Sequence, residues 1–177
     1  QKHLILLKKD HTTNRWTEWP VSLHWLRDVP VQLLEDSQGA VWLAGHKGNI
    51  VRIRPKEGLT DTWDISPYFS KNRADQLRST ALVEDPAGNL CIGSSLGLVQ
   101  VKNPEAEPTF RIWQNDRNNP ALFKTDWILS VYPDPKTLDV VWIGLRGGGL
   151  VRFDARTQTT KHFTTKDGLV NNVVYGI

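Results

Sequence analysis

Residues 34–44 read LEDSQGAVWLA, and the same pattern returns at residues 83–93 as VEDPAGNLCIG and, in part, at residues 139–144 as DVVWIG. Its central apolar position recurs after 49 and 51 residues, at Trp42, Cys91 and Trp142. A period near fifty residues, made of short apolar runs separated by turns, is typical of propeller blades and repeat arrays. The pattern predicts an all-β fold of repeated units, because one such unit cannot bury its faces alone.

Each repeat unit divides into four short runs that are rich in β-branched and aromatic residues. Gly, Pro, Asn or Asp bounds these runs, as expected for antiparallel strands joined by turns. The predicted first strands are 31–34, 80–83 and 128–131, and the second strands are 41–44, 90–93 and 140–144. The third strands are 50–53, 98–101 and 150–153, and the fourth strands are 62–65, 110–113 and 161–163. The predicted fold is a β-propeller fragment of four-stranded antiparallel blades.

The units divide the chain into about three blades and two partial flanking blades. We predict the last two strands of a preceding blade in 1–19, blades in 20–66, 67–114 and 115–165, and the first strand of a following blade in 166–177. Leu6 and Trp16 have the same spacing as Phe153 and Phe163. Propellers typically close with four to eight blades. We therefore interpret the chain as an excerpt of a longer protein, with pairing of its open edges to a second copy as the alternative.

Adjacent carboxylates occur twice, as Glu35-Asp36 and Glu84-Asp85. Neighbouring residues on a strand point to opposite faces, so the two side chains of each pair diverge and do not suit paired acid–base chemistry. An Asp followed three residues later by Gly is instead typical of a hairpin turn, in which the carboxylate accepts backbone hydrogen bonds and Gly supplies a positive φ. We assign these carboxylates to turns.

Composition and spacing argue against several functions. The formal net charge is +3 and the Lys and Arg residues are scattered, which argues against nucleic-acid binding. No apolar run approaches the roughly 20 residues of a membrane span, and a single cysteine excludes an intrachain disulfide. The five histidines lack metal-ligand spacing. The Gly-rich run 146–149 lies between two strands, whereas a phosphate cradle precedes a helix. We predict neither a cofactor nor a metal.

The anchor residues are predicted to lie in the core. Cys91 replaces the Trp of the other units and is expected to be a small core hydrophobe, not a nucleophile. The tryptophans that fall on predicted strands are also expected to be core residues: Trp42, Trp63, Trp113 and Trp142.

The third unit carries a family resemblance. Residues 142–154 (WIGLRGGGLVRFD), followed by 162–169 (HFTTKDGL) and 172–174 (NVV), resemble the two-component regulator propeller repeat. Residues 84–93 match the same repeat, with Cys91 where a Trp is usual. The resemblance implies the extracytoplasmic sensor region of a bacterial membrane signalling protein, often a hybrid histidine kinase that detects glycans. It implies a location on the periplasmic or extracellular side of the membrane.

Strand direction sorts the connections of each blade onto two faces. The links between blades (20–30, 66–79, 114–127 and 164–171) share one face, here called the link face, with the turns at 46–49, 94–97 and 146–149. The Asp-Gly hairpins lie on the opposite face, here called the hairpin face. Aromatic and basic side chains on the link face are suited to stacking on sugar rings and to pairing with carboxylate or sulfate. The candidate ligand-binding residues are Trp25, Arg27, His46, Tyr68, Arg73, Arg78, Lys124, Trp127 and Arg146.

The expected function is a non-catalytic sensory or ligand-binding module of a bacterial signal-transduction protein. It would bind an oligosaccharide or other small ligand and pass the signal to a kinase-type output domain. Its expected partners are that ligand and, at the open edges, the remaining blades or a second copy. One alternative is a propeller enzyme such as a polysaccharide lyase, for which His46, Tyr68 and Arg146 are the nearest constellation. The other is a structural interaction module of a surface or secretion protein.

Overall fold

A computed structural model describes residues 3–10, 12–22, 29–47, 50–55, 63–68, 78–102, 108–116 and 122–177. The strands in these ranges are β1 (His3–Asp10), β2 (Arg15–Ser22), β3 (Pro30–Glu35), β4 (Val41–Gly45), β5 (Ile50–Pro55), β6 (Trp63–Tyr68) and β7 (Ser79–Glu84). They continue with β8 (Leu90–Ser94), β9 (Gly97–Lys102), β10 (Thr109–Trp113), β11 (Ile128–Pro133), β12 (Val140–Leu145), β13 (Gly149–Asp154) and β14 (Thr159–Phe163). A short 3-10 helix spans Thr165–Asp167.

Twelve of these strands form three antiparallel sheets of four, each built from strands consecutive in sequence. The first sheet has the order β3-β4-β5-β6, the second β7-β8-β9-β10 and the third β11-β12-β13-β14. The inner strand β7 contacts β3 on one side and β11 on the other. Four-stranded meanders stacked through their inner strands are blades of a β-propeller, so the predicted fold is confirmed.

The β1–β2 hairpin has the same strand register at its turn end as the outer hairpin of the third sheet. Asp10 pairs with Arg15 as Asp154 pairs with Thr159. The residue before each second strand, Asn14 or Gln158, has a positive φ of 55° or 56°. In this register Leu6 pairs with Trp19, as Leu150 pairs with Phe163. The sequence comparison of Leu6 with Phe153 and of Trp16 with Phe163 was therefore displaced by three residues.

One aspartate organises the first hairpin of each sheet. Asp36 Oδ1 accepts the backbone N–H groups of Gln38 and Ala40, and its Oδ2 accepts the indole N–H of Trp42 at 2.7 Å. Asp134 repeats this arrangement in the third sheet, where its Oδ2 accepts from Trp142 Nε1 at 3.1 Å. The assignment of Asp36 to a turn agrees with these contacts. The tie from aspartate to indole adds a link from the turn to the following strand.

In the second sheet, Cys91 stands at the position of the tryptophan, and other side chains contact the aspartate. Asp85 accepts the side-chain amide of Asn89 at 2.9 Å and lies 3.4 Å from Nε2 of Gln100, which pairs with Cys91 across the sheet. Amide donors thus take the place of the missing indole. Cys91 is 1% exposed, and burial raises the pKa of its thiol, as expected for a core residue.

Two apolar layers hold the three sheets together. Trp42 is fully buried between the first and second sheets, among Leu82, Leu90 and Val101. The layer between the second and third sheets contains Cys91 and an aromatic cluster in which Phe153 contacts Trp113 at 5.1 Å and Phe123 at 5.5 Å between ring centroids. The second sheet is consequently covered on both faces.

Trp142 departs from the expected burial. It lies opposite Tyr132 and is partly exposed, with Phe163 at 5.8 Å between ring centroids. Its counterpart Trp42 is covered by the next sheet, whereas no sheet in the described part of the chain covers this face of the third. Trp63 lies on β6, and its side chain is outside the described residues.

Side chains on the inner strands link each unit to the next. Gln32 donates to the Thr80 carbonyl at 3.1 Å, and Thr80 donates to the Ile128 carbonyl at 2.7 Å. Ser130 donates to the Val174 carbonyl at 3.4 Å, so residue 174 occupies the place of a further inner strand. Residues 166–177 were predicted to form that strand. They contain part of the 3-10 helix and an isolated bridge from Val173 to Arg146, and the described residues hold no second strand that would pair with them in a sheet of their own.

Candidate functional site

The link face presents the same backbone contact in all three sheets. The residue after the second strand donates its N–H to the carbonyl of the residue that leads into the first strand. These pairs are His46 with Val29 at 2.9 Å, Ser95 with Arg78 at 3.0 Å and Arg146 with Trp127 at 2.9 Å. The contact places one pair of side chains at an equivalent position on each sheet. Sequence differences at these positions therefore determine the chemistry of the face.

Trp127 and Arg146 form a stacked pair at the third of these positions. The guanidinium carbon of Arg146 lies 4.3 Å from the centroid of the Trp127 ring, within the range of a cation–π contact. Arg146 is exposed, and Trp127 retains 36% of its surface in solvent. A stacked guanidinium keeps the N–H donors at its edge free for an oxygen ligand. The pair thus combines a flat apolar surface with fixed donors.

Local backbone contacts hold this pair in place. The Trp127 N–H donates to Thr125 Oγ1 at 3.2 Å. Arg146 forms its bridge with Val173, and the Gly149 N–H donates to the Asn172 carbonyl at 2.8 Å. The two side chains are therefore presented by segments that are each tied to the rest of the third sheet.

The other sequence candidates have varied positions. Lys124 is exposed near Asp167, whose pKa is lowered first by the backbone N–H of Thr164 and in small part by the Lys124 charge. His46 is exposed on the first sheet at the position of Arg146, and Arg78 is exposed on the second sheet at the position of Trp127. Trp25, Arg27 and Arg73 lie outside the described residues, and Tyr68 ends β6 with its side chain not described. Of the nine candidates, the structure shows direct contact between Trp127 and Arg146.

Two members of the constellation proposed for an enzyme, His46 and Arg146, have described side chains, and the side chain of Tyr68 is outside the described residues. His46 and Arg146 occupy equivalent positions on the first and third sheets, with the second sheet between them. Within the described ranges, no group of three or more His, Cys, Asp or Glu side chains could hold a metal ion. The same ranges contain no helix that is both long and apolar enough to cross a membrane.

The hairpin face carries a feature that the sequence did not indicate. An open depression there is lined by Ser37, Glu84, Pro86, Tyr132, Pro133 and Pro135, among others. Its lining comes from all three sheets. The residues that neighbouring sheets contribute are separated by about one repeat length in sequence. In the sequence, Glu84 was interpreted only as part of a carboxylate pair. The sequence signal for the depression was the proline that follows the Asp of two hairpins.

The chain shares its fold with bacterial surface proteins. No family model matches the chain, and no curated protein matches it. The extracellular domain of BT3049 from B. thetaiotaomicron, described as a hybrid two-component system protein, superposes with a TM-score of 0.69 at 20% identity, over 89% of this chain and 20% of that chain. PorZ, a surface component of the type-IX secretion system of Porphyromonas gingivalis, gives 0.64 at 13% identity over 96% of this chain and 26% of PorZ.

An enzyme has the same fold. Virginiamycin B lyase from Staphylococcus aureus superposes with a TM-score of 0.60 at 15% identity, over 90% of this chain and 48% of the lyase. The chain thus spans between one fifth and one half of these structures. At such identities the likeness establishes the propeller fold, and the function must be argued from the site.

Proposed function

We propose that this chain is part of a non-catalytic sensory propeller of a bacterial signal-transduction protein, located on the periplasmic or extracellular side of the membrane. Its link face binds an oligosaccharide or other small ligand, and the parent protein passes this signal to a kinase-type output domain. The similarity to an extracellular domain of a two-component protein supports the sensory role.

The exposed pair of Trp127 and Arg146 is the observation that carries the ligand-binding proposal. An indole offers a flat apolar surface on which the C–H face of a sugar ring can stack. A guanidinium offers a planar fork of donors that matches the two oxygens of a carboxylate or sulfate. The guanidinium carbon of Arg146 lies 4.3 Å from the centroid of the Trp127 ring, which brings both functions to one place on the third sheet.

A glycan array followed by calorimetry on the complete protein tests this site. The double variant Trp127→Ala with Arg146→Gln is expected to reduce the affinity at least about fiftyfold, because it removes both an aromatic and a charged contact. The melting temperature is expected to change little, because both side chains are exposed.

Arg156→Gln is the matched control. Arg156 is exposed on the loop that joins β13 to β14, at the end of the third sheet opposite Arg146. This variant is expected to bind the ligand as the unmodified protein does. Binding that survives the double change, or that is lost on changing Arg156, contradicts the proposed site.

The lyase alternative makes a different prediction for the same protein. A lyase would release unsaturated products from a polysaccharide, and His46→Ala would stop their formation. Binding without product release, lost in the Trp127 and Arg146 double variant, supports the sensory module. Product release that depends on His46 would contradict the sensory proposal and support the lyase.

A further inference from the structure

The depression on the hairpin face lies where the three sheets meet. Ser37 comes from the turn after β3, Glu84 and Pro86 from the end of β7 and its turn, and Pro133 and Pro135 from the end of β11 and its turn. It is open to solvent and encloses about 380 Å³. Its position at the opposite end of the strands separates it from the pair of Trp127 and Arg146.

The backbone and hydroxyl donors of the two turns beside it already have acceptors. Both the N–H and the hydroxyl of Ser37 donate to the Glu84 carboxylate, each at 2.7 Å. Asp85 Oδ1 accepts the backbone N–H groups of Ala87 and Asn89 at 2.9 Å each. Proline has no N–H, so Pro86, Pro133 and Pro135 can contribute only carbonyl oxygens. Apart from the Tyr132 hydroxyl, which can donate or accept, the lining therefore offers mainly hydrogen-bond acceptors to an incoming group.

The charge of the lining has one sign. It includes the carboxylates of Glu84 and Asp85 and contains no Lys, Arg or His side chain. Lys136 follows Pro135 but is exposed and lies outside the lining. An excess of acceptors with net negative charge is complementary to a cationic donor.

From this complementarity we infer that the hairpin face is a docking surface for an extended peptide segment of a protein partner that carries arginine or lysine. The cation lies against the Glu84 carboxylate, which Ser37 holds in a fixed orientation. The walls that Tyr132 and the prolines contribute are apolar, and extended peptide segments dock in grooves lined by aromatic side chains. Among the described residues of the link face, Arg78, Lys124 and Arg146 are exposed, and their positive charge does not attract this segment.

Fluorescence anisotropy on the complete protein tests the inference. The probe is a fluorescein-labelled hexapeptide that alternates proline and arginine, compared with hexapeptides that alternate proline with glutamine or glutamate. Only the arginine peptide is expected to bind. Glu84→Gln is expected to weaken that binding at least about tenfold, the effect of losing one charge-assisted hydrogen bond.

Two variants separate this role from general effects. Ser37→Ala removes one contact to Glu84 but leaves the carboxylate, and it is expected to retain binding within about threefold, because the charge contributes most of the interaction. Glu35→Gln changes the equivalent carboxylate of the first sheet, which is exposed and outside the depression, and it is expected to leave binding unchanged.

Several outcomes would overturn the docking surface. Equal loss in Glu35→Gln and Glu84→Gln would mean general electrostatic attraction, and equal binding of the glutamine peptide would remove the cation from the mechanism. Binding of an oligosaccharide that depends on Glu84 would make the depression a sugar site. None of these results bears on the link face, whose variants leave the hairpin face intact.

Discussion

At the scale of single residues, the recurring aspartate explains why the sequence pattern exists. Asp36 and Asp134 close a turn and hold the indole of the next strand, while Asp85 performs the same task with amide donors. The motif residue Trp42 is therefore both a core side chain and a hydrogen-bond donor. This double role could not be read from the sequence, because the pairing of turn and indole depends on the strand register.

Removing the first of these aspartates should destabilise the protein. Asp36→Ala leaves three donors without their acceptor, on Gln38, Ala40 and Trp42, and is expected to lower the free energy of unfolding by about 3 kcal/mol. Asp36→Asn keeps one carbonyl oxygen and is expected to cost about half as much. Urea unfolding followed by tryptophan fluorescence measures both. Equal stability of Asp36→Ala and the unmodified protein would show that water replaces these contacts.

The tie between Asp134 and Trp142 should respond to acid. The backbone N–H of Lys136, followed by the Trp142 indole, lowers the pKa of Asp134 below its ordinary value of 3.8. A carboxyl whose pKa is lower in the folded state stabilises the fold above about pH 3.8, and this contribution is lost as the pH falls through the folded pKa. The indole N–H resonance of Trp142 should hold steady above pH 4 and shift only below 3.8. Asp134→Asn should abolish this shift, and an inflection above 3.8 would contradict the assignment.

At the scale of strands and sheets, the regular parts of the repeat were predictable because period-two patterning and turn residues agree there. The predicted fourth strand at 62–65 was displaced, since β6 spans Trp63–Tyr68. The segment around Val173 was predicted as a first strand, but the described residues hold no second strand that pairs with it. Local sequence therefore predicted most strands. Whether the segment around Val173 forms a strand depends on strands that pair with it.

The spacing between the second and third sheets should depend on Gly93, the last residue of the motif in the second sheet. A Cβ on Gly93 would lie 2.7 Å from Ile128 Cγ2 and 3.0 Å from Val131 Cγ2, on the next sheet. Gly93→Ala is therefore expected to cost about 1–3 kcal/mol through overpacking. Ala44→Gly, the reverse change at the equivalent position of the first sheet, should cost less, about 0.5–1 kcal/mol. Denaturant unfolding of the pair measures the difference, and a neutral Gly93→Ala would show that the sheets separate freely.

At the scale of the whole molecule, alternating strand direction gives the two faces different chemistry. The sequence predicted both Trp127 and Arg146 as candidates, yet their stacking depends on a backbone contact between residues far apart in sequence. The depression around Glu84 was missed for a similar reason, because its lining is contributed by three repeats. The topology could be deduced from the repeat. Predicting which side chains meet on each face would have required the strand register of all three sheets.

The covering of the second sheet on both faces predicts an order of opening. Hydrogen exchange should be slowest in β8, whose residues are all buried, and faster in the outer strands β10 and β14 and at residues 173–174. Mass spectrometry of peptides from the native protein measures this order. If β14 exchanged as slowly as β8, the three sheets would open as one unit.

The cysteine that interrupts the tryptophan pattern also provides a practical probe. Cys91 is the single thiol of the chain, and it lies buried in the central sheet between two apolar layers. Its thiol has a raised pKa and no access to solvent, so a maleimide reagent can alkylate it only during an opening of that sheet. The rate of alkylation therefore reports how often the central sheet opens in the native protein. No engineered label is needed, because the one thiol of the chain already lies inside this sheet.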